Sequence, residues 1–210
     1  MRRRIYLTTR DFHLYSGLFI SPFVLIFAIS VFFLVHAWVP GLSPEATAPK
    51  RTVHGLHLSA DVENLSGRPR VDAIRDVLDQ AGVQGEIGFI RHMPKERRLV
   101  VPVSVPGRET TIEIDVLTRS AVVVERQTGL ADALIMLHKS PGPHLANIRM
   151  NWLPMLVWRW LADATVYLLL LLSATGIYLW IPLRAERKIG IALLTAGAFS
   201  LIGVIYAIAR

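Results

Sequence analysis

The chain has 210 residues, of which 52% are hydrophobic, and its mean hydropathy is +0.43. This balance excludes an ordinary water-soluble domain of the same length and predicts that lipid surrounds part of the chain. The absence of cysteine excludes disulfide bonds, thiolate metal sites, iron–sulfur clusters and covalently attached c-type haem. The net charge is +7, but residues 41–150 contain 14 Lys or Arg and 13 Asp or Glu. The excess therefore lies outside them, and no nucleic-acid partner is predicted.

Three apolar segments are long enough to cross a bilayer, whose hydrocarbon core takes about 20 helical residues. They are Leu18–Val39, Ala164–Ile181 and Ile189–Ala209. The first segment exceeds the roughly 7–15 apolar residues of a signal peptide. It is therefore predicted to be an uncleaved anchor rather than a cleaved signal.

Basic residues beside these segments predict their orientation. Seven of them flank the spans: Arg2, Arg3, Arg4, Arg10, Arg184, Arg187 and Lys188. The positive-inside rule places such flanks in the cytoplasm, which predicts a multi-pass membrane protein whose central domain lies outside the cytoplasm. The predicted parts are a cytoplasmic N-terminus over 1–14, transmembrane helices over 15–39, 151–182 and 189–209, a periplasmic domain with linkers over 40–150, and a cytoplasmic loop over 183–188.

The periplasmic domain is predicted to have an α+β fold. Pro69 and Gly82 mark the two ends of a helix with apolar residues at helical spacing: Val71, Ile74, Val77 and Leu78. Four segments rich in β-branched residues follow, separated by turn-forming connections: Glu86–Arg91, Leu99–Val105, Thr111–Val116 and Ala121–Glu125. One helix against an antiparallel sheet covers a single face of that sheet. A last helical segment, GLADALIMLHK, leads back to the membrane.

The order of these parts and three local strings resemble the PepSY-associated transmembrane family. The strings are His13–Gly17, Leu137–Lys139 and Ala174–Pro182, the last with Asp163 upstream of it. The resemblance implies a protein of the bacterial inner membrane with a small periplasmic PepSY-like domain between transmembrane helices. It also implies a function, because some family members are haem-containing reductases of ferric siderophores. Larger members have four spans, whereas this chain has three spans, one domain and Ser140 where a glycine often follows the Leu-His-Lys string.

Histidines near the spans are the candidate ligands of a b-type haem, which takes two axial ligands from neighbouring helices. His36 and His138 both approach the outer face and are predicted to bind one haem iron, with His144, Met136 or Met150 as substitutes for the second ligand. His13 lies near the inner face, about 35 Å from His36 at 1.5 Å per helical residue. An inner haem on His13 would therefore take its second ligand from another subunit.

Other interpretations of these residues stay open. A histidine at a membrane interface is often present because its ring tolerates both phases, and His36 lies close to Trp38 in a possible aromatic belt. Arg159 and Asp163 are four residues apart, which suits an interfacial salt bridge. The salt bridge is the favoured interpretation, and the functional alternative is that Arg159 holds a haem propionate, or a ferric ligand, beside His138.

Two functions follow from these patterns. In the first, the chain passes electrons through haem b to a periplasmic acceptor of the ferric siderophore type, a substrate class that the resemblance supplies. The donor would be a membrane redox partner or quinol, because the sequence contains no flavin or nicotinamide motif. In the second, the chain is a non-catalytic, membrane-anchored binding module, or an accessory subunit, whose sheet edge accepts a peptide strand. Either function involves the lipid bilayer and is compatible with a homo-oligomer.

Overall fold

The computed structural model describes residues 2–36, 49–140, 148–183 and 187–209. The helices in these ranges are α1 (Arg2–Val35), α2 (Gly67–Gln80), α3 (Leu130–Lys139), α4 (Leu153–Trp180) and α5 (Arg187–Ile208). The strands are β1 (Lys50–Val53), β2 (Glu86–Ile87), β3 (Arg91–Met93), β4 (Arg98–Val105), β5 (Arg108–Asp115) and β6 (Ser120–Gln127). The chain divides into two compact units, Met1–Pro22 with Ala164–Arg210, and Phe23–Asp163.

The unit Phe23–Asp163 contains an antiparallel sheet in the order β1-β6-β5-β4-β2, with β3 also paired to β4. The connection from β4 to β5 is two residues long, and its Gly107 has a φ of +86°, which only glycine adopts without strain. The longer connection from β5 to β6 is stabilised by Asp115, whose Oδ1 accepts hydrogen bonds from the backbone N–H groups of Leu117 and Thr118. The local turn chemistry therefore sets the register of the three longest strands.

Helix α2 packs its apolar face on one side of this sheet. Its buried residues are Val71, Ile74, Val77 and Leu78. They meet alternate residues of the three long strands, which are Leu99, Val101, Val103, Ile112, Ile114, Ala121 and Val123. Each large side chain buried in this way contributes roughly 1.5–3 kcal/mol relative to leaving it in water. The sheet and α2 thus have a hydrophobic core of their own.

Within the described residues three helices, α1, α4 and α5, are long and apolar enough to cross a membrane. Few of their side chains are buried, and the described residues of α5 include no buried one. Large apolar side chains such as Leu193, Ile202 and Ile208 are exposed along α5. An apolar surface of this extent is unfavourable in water and is typical of a helix surrounded by lipid.

The predicted combination of three spanning-length helices and an antiparallel sheet is present. Two of the helices are longer than the apolar segments that predicted them. Helix α1 already begins at Arg2, and α4 begins at Leu153. The predicted segment Glu86–Arg91 is two short strands, and β1 was not among the predicted strands. Helix α3 covers most of the segment GLADALIMLHK, as expected.

Candidate functional site

His138 lies near the end of α3 and contacts a serine of α1. Its Nδ1 is 2.8 Å from Oγ of Ser30, and the same Oγ donates a hydrogen bond to the carbonyl oxygen of Phe27 at 2.6 Å. A serine hydroxyl has one proton, so His138 must be the donor in the contact with Ser30. This hydrogen-bond network assigns the proton of the neutral ring to Nδ1 and leaves a lone pair on Nε2.

An aromatic side chain packs against the same imidazole, and a second one supports it. The ring of Phe27 meets it edge to face, with 5.7 Å between the ring centroids. Trp158 of α4 lies 5.6 Å from Phe27, and its Nε1–H donates to the carbonyl oxygen of Leu137 at 3.0 Å. Ser30 is only 1% exposed. Helices α1, α3 and α4 therefore meet at a largely apolar site that contains one oriented histidine.

His13 is held in the same way in the other unit. Its Nδ1 is 2.8 Å from Oγ1 of Thr175, which itself donates to the carbonyl oxygen of Leu171 at 2.8 Å. The proton of the neutral ring is again assigned to Nδ1 and the lone pair to Nε2. Gly176 lies beside this ring, and a Cβ atom there would be 3.4 Å from Cε1 of His13. The glycine thus lets the imidazole approach the backbone of α4.

His36 does not face the position where His138 contacts α1. It follows the last residue of α1, stacks on Phe32 with 4.6 Å between ring centroids, and has Nδ1 3.0 Å from the carbonyl oxygen of Phe32. Ser30, the partner of His138, is six residues earlier, which corresponds to about 120° around the helix. The two imidazoles therefore have separate partners, and their joint ligation of one iron stays a prediction. His144 lies outside the described residues.

Arg159 is close to two of the side chains that the sequence singled out. Its Nε is 3.6 Å from Oδ2 of Asp163, as the four-residue spacing predicts. Its Nη1 is 2.8 Å from the sulfur of Met150, one of the candidate substitute ligands. The salt bridge is present, whereas a contact of Arg159 with a haem propionate remains a prediction.

Glu86 is a buried carboxylate that the sequence did not single out. It is 9% exposed, and its two oxygens accept hydrogen bonds from the backbone N–H groups of Met150, Asn151 and Trp152, directly before α4 begins. Burial raises the pKa of Glu86 above its ordinary value, although these three hydrogen bonds oppose the shift. The carboxylate holds the three residues that lead into α4 and lies close to the N-terminus of that helix, where negative charge is favourable.

Asn151 and Arg75 extend this connection. The side chain of Asn151 bonds both backbone groups of Ile87, at 3.0 Å to its nitrogen and 2.9 Å to its oxygen. Arg75 of α2 donates to the carbonyl oxygens of Asn151 and, at 3.0 Å, of Gly85. We call Glu86, Asn151 and Arg75 the joint, because they tie the sheet and α2 to the start of α4.

The donor chemistry of the two histidines fits an axial ligand of haem. A ligating imidazole usually donates its other N–H to an oxygen, which fixes the orientation of the ring and its tautomer. Here the hydroxyl oxygens of Ser30 and Thr175 accept these hydrogen bonds. Within the described residues no group of three or more His, Asp or Glu side chains has the geometry of a metal site.

Comparison of the chain with family models, curated proteins and solved structures finds no match. The class of the protein therefore rests on its own fold. It combines three helices able to span a membrane with an antiparallel sheet.

Proposed function

We propose that this chain is an inner-membrane protein of the PepSY-associated transmembrane type that binds b-type haem through Nε2 of His138 and passes electrons at the periplasmic face. The observation that carries the proposal is the contact of His138 with Ser30, which fixes the ring and leaves Nε2 as the ligating nitrogen. The resemblance of the sequence to this family supplies the rest of the expectation. When bound, haem supplies one-electron transfer at a potential that the axial ligands and their surroundings set.

The surrounding residues have distinct roles in this proposal. Ser30 orients the imidazole of His138, the ring of Phe27 packs against it, and Trp158 packs against Phe27. His36 or His144 supplies the second axial ligand. Arg159 holds a propionate at the outer end of α4. His13, oriented by Thr175, is the corresponding ligand of an inner haem that is completed by a second copy of the chain.

The direction of electron flow follows from the proposed topology. The Arg-rich start of α1 and the basic connection before α5 lie in the cytoplasm by the positive-inside rule, so the sheet lies in the periplasm. His138 is then on the periplasmic side and can serve an acceptor there. The family resemblance suggests a ferric siderophore as that acceptor. The electron donor is a quinol or another membrane redox protein.

A reduced-minus-oxidised absorption spectrum tests the proposal. The full chain is purified in mild detergent from cells supplied with a haem precursor, together with the variants His138→Ala and His57→Ala. His57 is an exposed histidine of the sheet-containing unit and serves as the control. We expect b-type bands from the wild type and from His57→Ala, and loss of the outer haem in His138→Ala. A flat spectrum from folded wild-type protein, or full bands from folded His138→Ala, would contradict the proposal.

The joint favours a second function, that of a non-catalytic membrane-anchored module. Its hydrogen bonds run from α2 through Arg75 and from β2 through Glu86 to the residues immediately before α4. A peptide or protein bound to the sheet would therefore act on a helix of spanning length. This function requires no haem, so a folded chain without a haem spectrum would favour it.

A further inference from the structure

A pocket of about 250 Å³ lies between β2, β4, the end of α3 and the start of α4. Glu86, Ser104, Lys139, Ser140, Arg149 and Met155 are among its lining residues. Its volume is below the roughly 300–1,000 Å³ of pockets that enclose a whole drug-sized ligand. The size suits a small polar group such as a phosphate with its attached glycerol.

The charges in this pocket favour an anion. Within the described part of the chain, Lys139 and Arg149 make no ion pair and no side-chain hydrogen bond. Glu86 is the carboxylate in the pocket lining, and both of its oxygens already accept hydrogen bonds from backbone N–H groups. Two cations therefore line the pocket with one carboxylate, whose oxygens are already hydrogen-bonded. The hydroxyls of Ser104 and Ser140 add further hydrogen-bonding groups.

The pocket lies beside tryptophans of the kind that mark a membrane interface. Trp152, Trp158 and Trp160 occur within nine residues around the start of α4, and tryptophan is enriched where headgroups meet hydrocarbon. Trp158 donates to the carbonyl oxygen of Leu137, two residues before Lys139. Met155, which lines the pocket, belongs to the first turn of α4. A lipid headgroup at this level would reach both cations.

We propose that this pocket binds the phosphate of an anionic phospholipid, with Lys139 and Arg149 as its cationic partners. The proposal is independent of haem binding, because neither side chain is placed at a histidine site. A bound headgroup would bridge the end of α3 and the start of α4. The phosphate could also come from a soluble anion, and the experiment separates these two sources.

The test measures the thermal unfolding midpoint of the full chain in detergent after addition of phosphatidylglycerol, phosphatidylcholine or inorganic phosphate. The double variant Lys139→Gln with Arg149→Gln removes the two cations. The control variant Arg91→Gln with Lys95→Gln removes the same charge from exposed residues of the sheet region. We expect phosphatidylglycerol alone to raise the midpoint, and the double variant to bind it about 30-fold more weakly, whereas the control variant behaves as the wild type.

Three outcomes would overturn the proposal: equal shifts from the two lipids, an equal loss in the control variant, or a full shift from inorganic phosphate. If the double variant does not fold, native mass spectrometry of the wild type decides. Protein extracted from vesicles with equal amounts of the two lipids is then expected to retain phosphatidylglycerol preferentially. Equal retention would overturn the proposal.

Discussion

His138 and His13 are oriented by the same device in different surroundings. Each Nδ1 lies 2.8 Å from a hydroxyl that donates to a carbonyl of its own helix. The ring of Phe27 packs against His138, and its partner Ser30 is buried. The ring of His13 lies beside Gly176, which has no side chain to occupy that space. One site is therefore made by packing of side chains, and the other by close approach of a ring to a helix backbone.

The two sites also differ in what holds them. His138 belongs to α3, which follows the sheet directly, and the joint ties that sheet to the start of α4. His13 is held by α1 against α4, and α5 has no buried residue among those described. We therefore expect changes at the His138 site to affect haem binding most, and changes at the His13 site to be milder.

The largest expected difference comes from removing each hydroxyl in turn. Ser30→Ala leaves the Nδ1–H of His138 without its partner in a buried site, and loss of such a partner typically weakens metal binding by about 10–100-fold. Thr175→Val removes the partner of His13 with little change of shape and should leave the outer haem intact. Haem titration of the purified variants measures both affinities. If Thr175→Val weakened haem binding as much as Ser30→Ala does, the two sites would be equivalent, and the difference that we expect between them would be wrong.

The joint gives the next largest effect. Glu86→Ala leaves three backbone N–H groups before α4 without their acceptor, and loss of a helix-capping partner costs about 0.5–2 kcal/mol. The thermal unfolding midpoint of the full chain should fall by roughly 2–4 °C for each kcal/mol lost. Glu113→Ala, at an exposed position of β5, is the control and should change little. An unchanged midpoint in Glu86→Ala would mean that the joint does not stabilise α4.

The pH dependence of stability identifies the charge state of Glu86. Because burial raises its pKa in the folded chain, the contribution of this group to the free energy of unfolding is full at low pH. It is lost as the pH rises from the ordinary glutamate range through the raised pKa. Glu86→Gln cannot ionise, so its unfolding midpoint should decline less than that of the wild type over this interval. Parallel curves for the two proteins would contradict a raised pKa.

Much of the fold follows from local sequence patterns. The elements that these patterns did not predict depend on contacts between residues far apart in the sequence. The alternation in Thr111–Val116 and the helical spacing around Ile74 predicted real elements, because each pattern reflects a single buried face. Strand β1 has four residues with mostly polar side chains, KRTV, and carries no such pattern. It is a strand because it pairs with β6, about 70 residues later, where Lys50 lies opposite Val124.

The sites were predictable only in part, for the same reason. His13 and His138 attract attention as titratable side chains beside apolar segments, but 162 residues separate His13 from Thr175 and 108 separate Ser30 from His138. Only the packed helices bring these groups together. Glu86 has no sequence signal as a capping residue, because its partners are backbone N–H groups that almost every residue possesses.

The smallest expected effect separates tight from ordinary packing at the His13 site. Replacing a helical glycine with alanine gains up to about 1 kcal/mol of helix propensity. Gly17→Ala should show this gain, because its new Cβ would be 3.9 Å from Leu172. In Gly176→Ala the Cβ would be 3.4 Å from Cε1 of His13, which is the near limit of ordinary van der Waals contact with the ring that bonds Thr175. We expect a smaller rise in the unfolding midpoint for Gly176→Ala than for Gly17→Ala, with a shifted His13 imidazole resonance in ¹⁵N NMR. Equal gains in the two variants would show that His13 does not press on α4, and the inner site would then lack the close contact that distinguishes it from the outer one.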